Sequence, residues 1–189
     1  MAFLSWFNSR YFITALPVSG VPSMINAVEI PNINSCSGGT PSVNIKENYH
    51  IDKSGYADKT PVSKNVENFE MNVDRAAGTI YTPSGTDPYS TLRNWQENDG
   101  DTHKALVVIT KVKAAMAADS FEAAYYDVVP AGMTEGERNG DDVQNFNLTL
   151  AVSGPRQIAY VTATISGGQA TAFTLSATPP AGGSTQSPT

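Results

Sequence analysis

Between Asn145 and Val152 every second side chain is large and apolar: Phe146, Leu148, Leu150 and Val152, with Asn145, Asn147 and Thr149 facing the other way. A period of two marks a half-buried strand and fits no helix. Such a strand must lay its apolar face on a second layer. The pattern recurs. Phe69, Met71 and Val73 alternate with Glu70, Asn72 and Asp74, and Ala159, Val161, Ala163 and Ile165 alternate with Tyr160, Thr162 and Thr164. Phe173 and Leu175 follow in 171–177. Residues 105–112 are apolar on both faces, which predicts a central strand, and 120–129 is rich in Phe, Tyr and Val. A first strand is expected over 24–30, stopped by Pro31.

One helix is expected. Asp87-Pro88 has the form of a helix start, with Asp as the cap and Pro in the first turn. Tyr89, Leu92 and Trp95 then recur at three-residue spacing as one apolar stripe, and the Asn-Asp-Gly-Asp run at 98–101 ends it. The fold class that follows is mostly β: an antiparallel sandwich or barrel with one short flanking α-helix and a long extended loop. Its expected core holds Phe69, Met71, Leu92, Trp95, Phe146, Leu148, Leu150, Val161, Phe173 and Leu175.

Residues 1–20 are apolar but irregular and read as an N-terminal arm. Residues 21–177 read as a single domain, and 178–189, made mostly of Pro, Gly, Ser and Thr, as a flexible tail. Inside the domain, 32–64 is dominated by Asn, Ser, Gly, Pro and Lys and reads as a long loop in which only Val43 to Ile45 looks strand-like, and the acidic stretch 130–142 also reads as loop. Long unpatterned segments in compact domains are functional or disordered. At Ser166-Gly167-Gly168 a plain two-residue turn would put Phe173 and Leu175 on the face opposite Val161. A three-residue loop pairing Ile165 with Gln169 keeps the apolar residues together, and it is the expected turn.

The chemistry-bearing residues are sparse. The two histidines, His50 and His103, have no partners at metal-ligand spacing, and Cys36 is a lone thiol with no base beside it. Phosphate loops, nucleophile elbows and Cys/His pairs are absent from the sequence, so no cofactor and no enzymatic activity are expected. Net charge is -6, and Lys104, Lys111 and Lys113 are spread along one strand and its end, so no basic patch suited to gripping nucleic acid forms. The aromatic start, with Trp6, Phe7, Tyr11 and Phe12, follows no basic segment and is broken by Asn8, Ser9 and Arg10. A soluble chain is expected, with those rings buried in its own core or against a neighbour. Charged residues make up only 16% of the chain, which leaves a largely neutral surface suited to subunit contacts.

Three stretches, taken in order, carry a resemblance: Val66-Glu67-Asn68-Phe69-Glu70-Met71-Asn72-Val73; Pro88-Tyr89-Ser90-Thr91-Leu92-Arg93-Asn94-Trp95; and Phe121-Glu122-Ala123-Ala124-Tyr125 running to Val129-Pro130, a loop, then Asp142-Val143-Gln144-Asn145-Phe146-Asn147-Leu148-Thr149-Leu150-Ala151-Val152-Ser153-Gly154. This order resembles the major tail (tail tube) proteins of siphophages. The resemblance implies a β-sandwich with a flanking helix and a long hairpin-like loop. It implies six-membered rings stacked into a hollow tube that conducts DNA from capsid to host. The subunit would be made in the host cytoplasm and reside in the virion tail. Its partners would be its own copies, a tape-measure protein and a tail terminator, with DNA passing unbound and no membrane involved. Glu70, Asn72, Asp74, Asn145, Asn147 and Thr149, each opposite an apolar strand face, become candidates for the lumen wall. Asn48, Tyr49, His50, Asp52, Lys53 and Tyr56 become candidates for a loop between rings. Two other readings are another virion structural protein, such as a capsid decoration or fibre domain, and a carbohydrate-binding β-sandwich module using Tyr125, Tyr126 and Tyr160. The long 32–64 segment favours the tube.

Overall fold

The computed structural model describes residues 9–49, 57–76, 78–112, 120–136, 144–166 and 169–179. Its elements in chain order are β1 (Ser9–Ala15), β2 (Val28–Ile30), β3 (Ile33–Ser37), β4 (Pro41–Tyr49), β5 (Ala57–Val66), β6 (Phe69–Asp74), α1 (Pro88–Asn98), β7 (Lys104–Val112), β8 (Ser120–Glu135), β9 (Asn145–Val152), β10 (Gln157–Ser166) and β11 (Gln169–Ser176). The main sheet runs β2-β1-β7-β8-β9-β6-β3, with β10 joining β8 and β11 joining β10. Strands β4 and β5 form a separate hairpin. Every pairing is antiparallel.

Two hydrophobic cores lie on opposite faces of β1, β7 and β8. One gathers Ile13, Leu106, Tyr126 and Val128 with Phe69, Met71, Val73, Phe146, Leu148 and Leu150 and with Tyr89, Leu92 and Trp95 of the helix. The other gathers Phe12, Val107, Ile109, Ala123, Ala159 and Phe173, with Val161 and Leu175 partly buried against it. Strand β7 is therefore covered on both sides, and Leu106 and Val107 are both 0% exposed. Each large side chain so buried contributes roughly 1.5–3 kcal/mol. Arg10 ties the second core to the sheet edge. Its guanidinium grips Glu29 at 2.7 and 2.5 Å, donates to the Ala170 carbonyl at 3.0 Å, and lies 5.2 and 5.1 Å from the ring centroids of Phe12 and Phe173.

The helix begins as its sequence dictates. The Asp87 carboxylate accepts from the Ser90 amide at 2.9 Å, and Pro88 occupies the first turn. Burial pulls the Asp87 pKa up, but the hydrogen bonds from Ser90 and the neighbouring backbone outweigh it, and the carboxyl sits below its ordinary value. A carboxylate lowered by folding stabilises above its unfolded pKa, and that share vanishes as pH falls through the lowered value. Asp87→Ala is expected to cost about 1 kcal/mol in urea unfolding at neutral pH. The gap between the two proteins should close as the solution is acidified through that range, and a gap that widens instead would refute the cap.

Several expectations need correction. Residues 9–15 belong to the sheet, not to an arm: β1 lies between β2 and β7 with Phe12, Ile13 and Thr14 all buried. A strand covered on both faces shows no alternation, which hid it. The first-strand region shrinks to Val28–Ile30. Within 32–64, the structure has β3, β4 and most of β5 where a loop was expected. Strand β8 does not stop at Pro130 but runs to Glu135. Proline lacks an N–H, yet Pro130 sits where β8 is paired with β9 and no longer with β7, beside a register shift between Pro130 and Gly132. That is the edge-and-bulge setting a strand proline tolerates.

The β10–β11 turn also differs from the one expected. Ser166 pairs with Gln169, so the three-residue loop is wrong. A bulge between Thr164 and Ile165 then shifts the register, placing Ala163 across from Phe173 and Val161 across from Leu175. The apolar residues still share a face. The bulge, and not the turn, inserts the extra residue that brings them together.

Candidate assembly surfaces

Beyond the reach of the second core, β3, β6, β9 and the second half of β8 leave one face open. Register lines up two transverse rows on it: Ser35, Asn72, Asn147 and Thr134, then Ser37, Glu70, Thr149 and Gly132. Asp74 and Asn145 pair beyond the first row. All six residues singled out as lumen candidates thus lie on one face of two adjacent strands. Their neighbours in sequence, Phe69, Met71, Val73, Phe146, Leu148 and Leu150, are buried on the other. Side chains link the strands across the rows. Asn34 donates to Asn72 at 3.2 Å and to the Asp74 carboxylate at 2.5 Å, and Asn72 donates to Asn147 at 2.7 Å. Glu70 and Asp74 supply the face's charge, and the two rows contain no Lys or Arg.

This four-stranded patch has two open borders. Among the described residues β3 pairs only with β6. Strand β8 pairs with β7 up to Val128, and over 131–134 it has β9 on one side and no strand on the other among the described residues. An unpaired border presents a row of backbone N–H and C=O groups to any strand that approaches. No charged residue lies within β3, the usual protection of such an edge.

The second surface is the β4–β5 hairpin. It pairs from Pro41↔Val66 out to Tyr49↔Ala57, with an irregularity between Asn44 and Ile45. Asn48 and Tyr49 fall at the end of β4, whereas His50, Asp52, Lys53 and Tyr56 lie outside the described residues. One side of the hairpin is polar and cross-linked, with Asn44 donating to Ser63 at 2.9 Å. The other side carries Val43 and Ile45, which are 48% and 55% exposed. A lone two-stranded hairpin is marginal in water.

Elsewhere the chemistry is structural. Cys36 is half-buried, and burial pushes its thiol up, which keeps it protonated. His103 meets Asp127 at 2.6 Å, not the Asp101 beside it in sequence. Tyr126 is buried in the first core, so it offers no face to a sugar. Among the described residues no group of three His, Cys, Asp or Glu is placed to hold a metal, and no helix is long and apolar enough to cross a membrane. The open borders were not legible in advance, because pairing partners follow from topology and leave no local pattern.

No family model matches the sequence, and no curated protein matches it. Solved structures do match in shape. A chain of the anti-feeding prophage baseplate aligns with TM-score 0.54 at 8% identity, covering 85% of this chain and 97% of that one. The SPP1 tail tube aligns with TM-score 0.52 at 10% identity, covering 83% and 80%. The sheath/tube terminator of an extracellular contractile injection system aligns with TM-score 0.52 at 15% identity, covering 84% and 97%. The chain therefore has the fold shared by a phage tail tube, a chain of the anti-feeding prophage baseplate and the sheath/tube terminator of an extracellular contractile injection system.

Proposed function

We propose that this chain is a structural subunit of a phage tail tube, assembling into six-membered rings that stack around a channel for DNA. The observation that carries the reading is the open four-stranded face with a free border on each side. Strands β3, β6, β9 and β8 alternate in direction, so β8 of one copy and β3 of the next meet antiparallel when the copies are related by simple rotation. Repeating that joint closes the open faces into one continuous wall and removes both exposed borders. With the polar rows turned inward, the wall carries Glu70, Asp74, amides and hydroxyls. It offers phosphate no cation to hold, so DNA slides without binding. The hairpin reaches to the adjoining ring, where Val43 and Ile45 are covered. The protein acts as a building block and not as an enzyme, resides in the virion, and meets a tape-measure protein inside the tube and a terminator at its end.

A second reading has a specific basis: a baseplate chain and a terminator match the fold as well as the tail tube does. A ring at one end of a tube would use the same joint but would not polymerise. Negative-stain microscopy and native mass spectrometry of the purified protein separate the two, through long tubes against single six-membered rings. A discrete dimer as the largest species would overturn both. The joint itself is tested by cysteines at Thr134 together with Ser35 or Ser37 in a Cys36→Ser background. Two β3 positions are used because barrel closure staggers the strands. Oxidation is expected to give a ladder of linked species ending at six copies. Rings that form without any such ladder would refute the β8–β3 joint.

A further inference from the structure

We infer that a groove at the root of the β4–β5 hairpin holds a carboxylate-bearing stretch of a second copy of this chain, clamped between Lys64 and Arg156. The inference rests on the self-assembly reading and names one contact within it. The groove has a volume of about 610 Å3 and lies between the hairpin root and the turn that joins β9 to β10. Pro41, Val66, Val152 and Pro155 give it apolar walls, Lys64 and Arg156 bring two positive charges, and no carboxylate lines it.

Several of the other described cations are engaged. Arg10 is held by Glu29, Arg93 by Glu97, and Arg75 lies 4.1 Å from the Tyr89 ring centroid. Lys104 lies over Trp95. Among the described residues neither Lys64 nor Arg156 has a carboxylate partner. Arg156 is also held on a firm base. The Ser153 amide donates to the Asp127 carbonyl at 2.8 Å, and Pro155 fixes the backbone just before the arginine. A guanidinium presented in this way is suited to a carboxylate, which its planar fork can grip through two hydrogen bonds.

A second copy supplies the complement. The chain has 18 Asp and Glu against 12 Lys and Arg, so each copy offers carboxylates in excess. The groove also runs into the apolar side of the hairpin. Pro41, Val43 and Ile45 share that side, and their cross-strand partners are Val66, Lys64 and Pro61. An extended segment lying there covers Val43 and Ile45 while its carboxylate meets Lys64 and Arg156.

The test is assembly of the full-length protein at low and high salt, followed by sedimentation and negative-stain microscopy. Wild-type assembly is expected to weaken as salt screens the clamp. K64E/R156E is expected to raise the concentration needed for assembly by about tenfold or more, with its melting temperature unchanged. K64Q/R156Q is expected to weaken assembly and to lose most of the salt dependence, and it decides the matter if the reversed variant does not fold. Variants that assemble at wild-type concentrations, with the wild-type salt response, would overturn the clamp and leave the tube reading standing. Wild-type protein that stays monomeric throughout would overturn self-assembly, and the clamp with it.

Discussion

Trp95→Ala is expected to lower stability by about 3–5 kcal/mol, the usual cost of removing a large buried aromatic. Trp95 is 2% exposed and belongs to the first core with Tyr89 and Leu92. Its indole nitrogen donates to the Thr102 carbonyl at 2.9 Å, and the Lys104 ammonium lies 4.9 Å from the ring centroid. Truncation removes the packing, orphans the Thr102 carbonyl and takes from α1 the largest side chain by which it is anchored in the core. In a protein of this length the melting temperature should fall by roughly 10 °C. Trp95→Phe keeps most of the packing, so its loss should be clearly smaller. Urea unfolding measures both, and a Trp95→Ala cost under about 1 kcal/mol would show that the helix is not anchored there.

Gly38→Ala is expected to be as damaging, for a different reason. Gly38 has φ +105°, and a Cβ there would lie 2.0 Å from the Asn68 carbonyl oxygen. The backbone crosses at this point from β3 to the hairpin, and the Gly39 amide bonds the Glu67 carbonyl at 3.0 Å while the Glu67 amide bonds that of Thr40 at 3.1 Å. No side chain can move aside, because the obstacle is main chain. Gly20 provides the control: its φ is +77° with nothing within 4 Å of a Cβ. Gly20→Ala should cost about 1 kcal/mol for the left-handed conformation alone, and Gly38→Ala more than about 3 kcal/mol. Thermal melts of both variants measure the difference. Equal costs would mean that the crossing yields easily. If the proposed assembly holds, Gly38→Ala should also abolish it in whatever fraction still folds, because the crossing leads from β3 into the hairpin.

What could be read in advance was what one strand or helix shows by itself. Phe146 to Val152 and Phe69 to Val73 declared their faces by alternation, and Asp87-Pro88 declared the start of α1. Strand β1 did not, because Phe12 and Ile13 go to different cores and leave no period. Nor did the hairpin, because Asn44, Lys46 and Ser63 are exposed and burial never sorts one side from the other. Thr134 joins the polar face through β8 continuing past Pro130, where proline would ordinarily signal a stop. The β10–β11 turn is an intermediate case. The demand that Val161 and Leu175 share a face was correct, but that demand is met equally by a longer turn or by a bulge, and apolar pattern cannot choose between them.

The alternating strand directions of the open face have one further consequence. A border of one kind, β3, lies at one side and a border of another kind, β8, at the other. In the proposed tube, a joint between unlike borders needs no two-fold axis, so every copy in a ring would point the same way and the ring would have a top and a bottom. Rings stacked through the β4–β5 hairpins would then form a polymer with polarity. One tip would display hairpins without receptors, the other receptors without hairpins, and growth, capping and attachment would be chemically distinct events at the two.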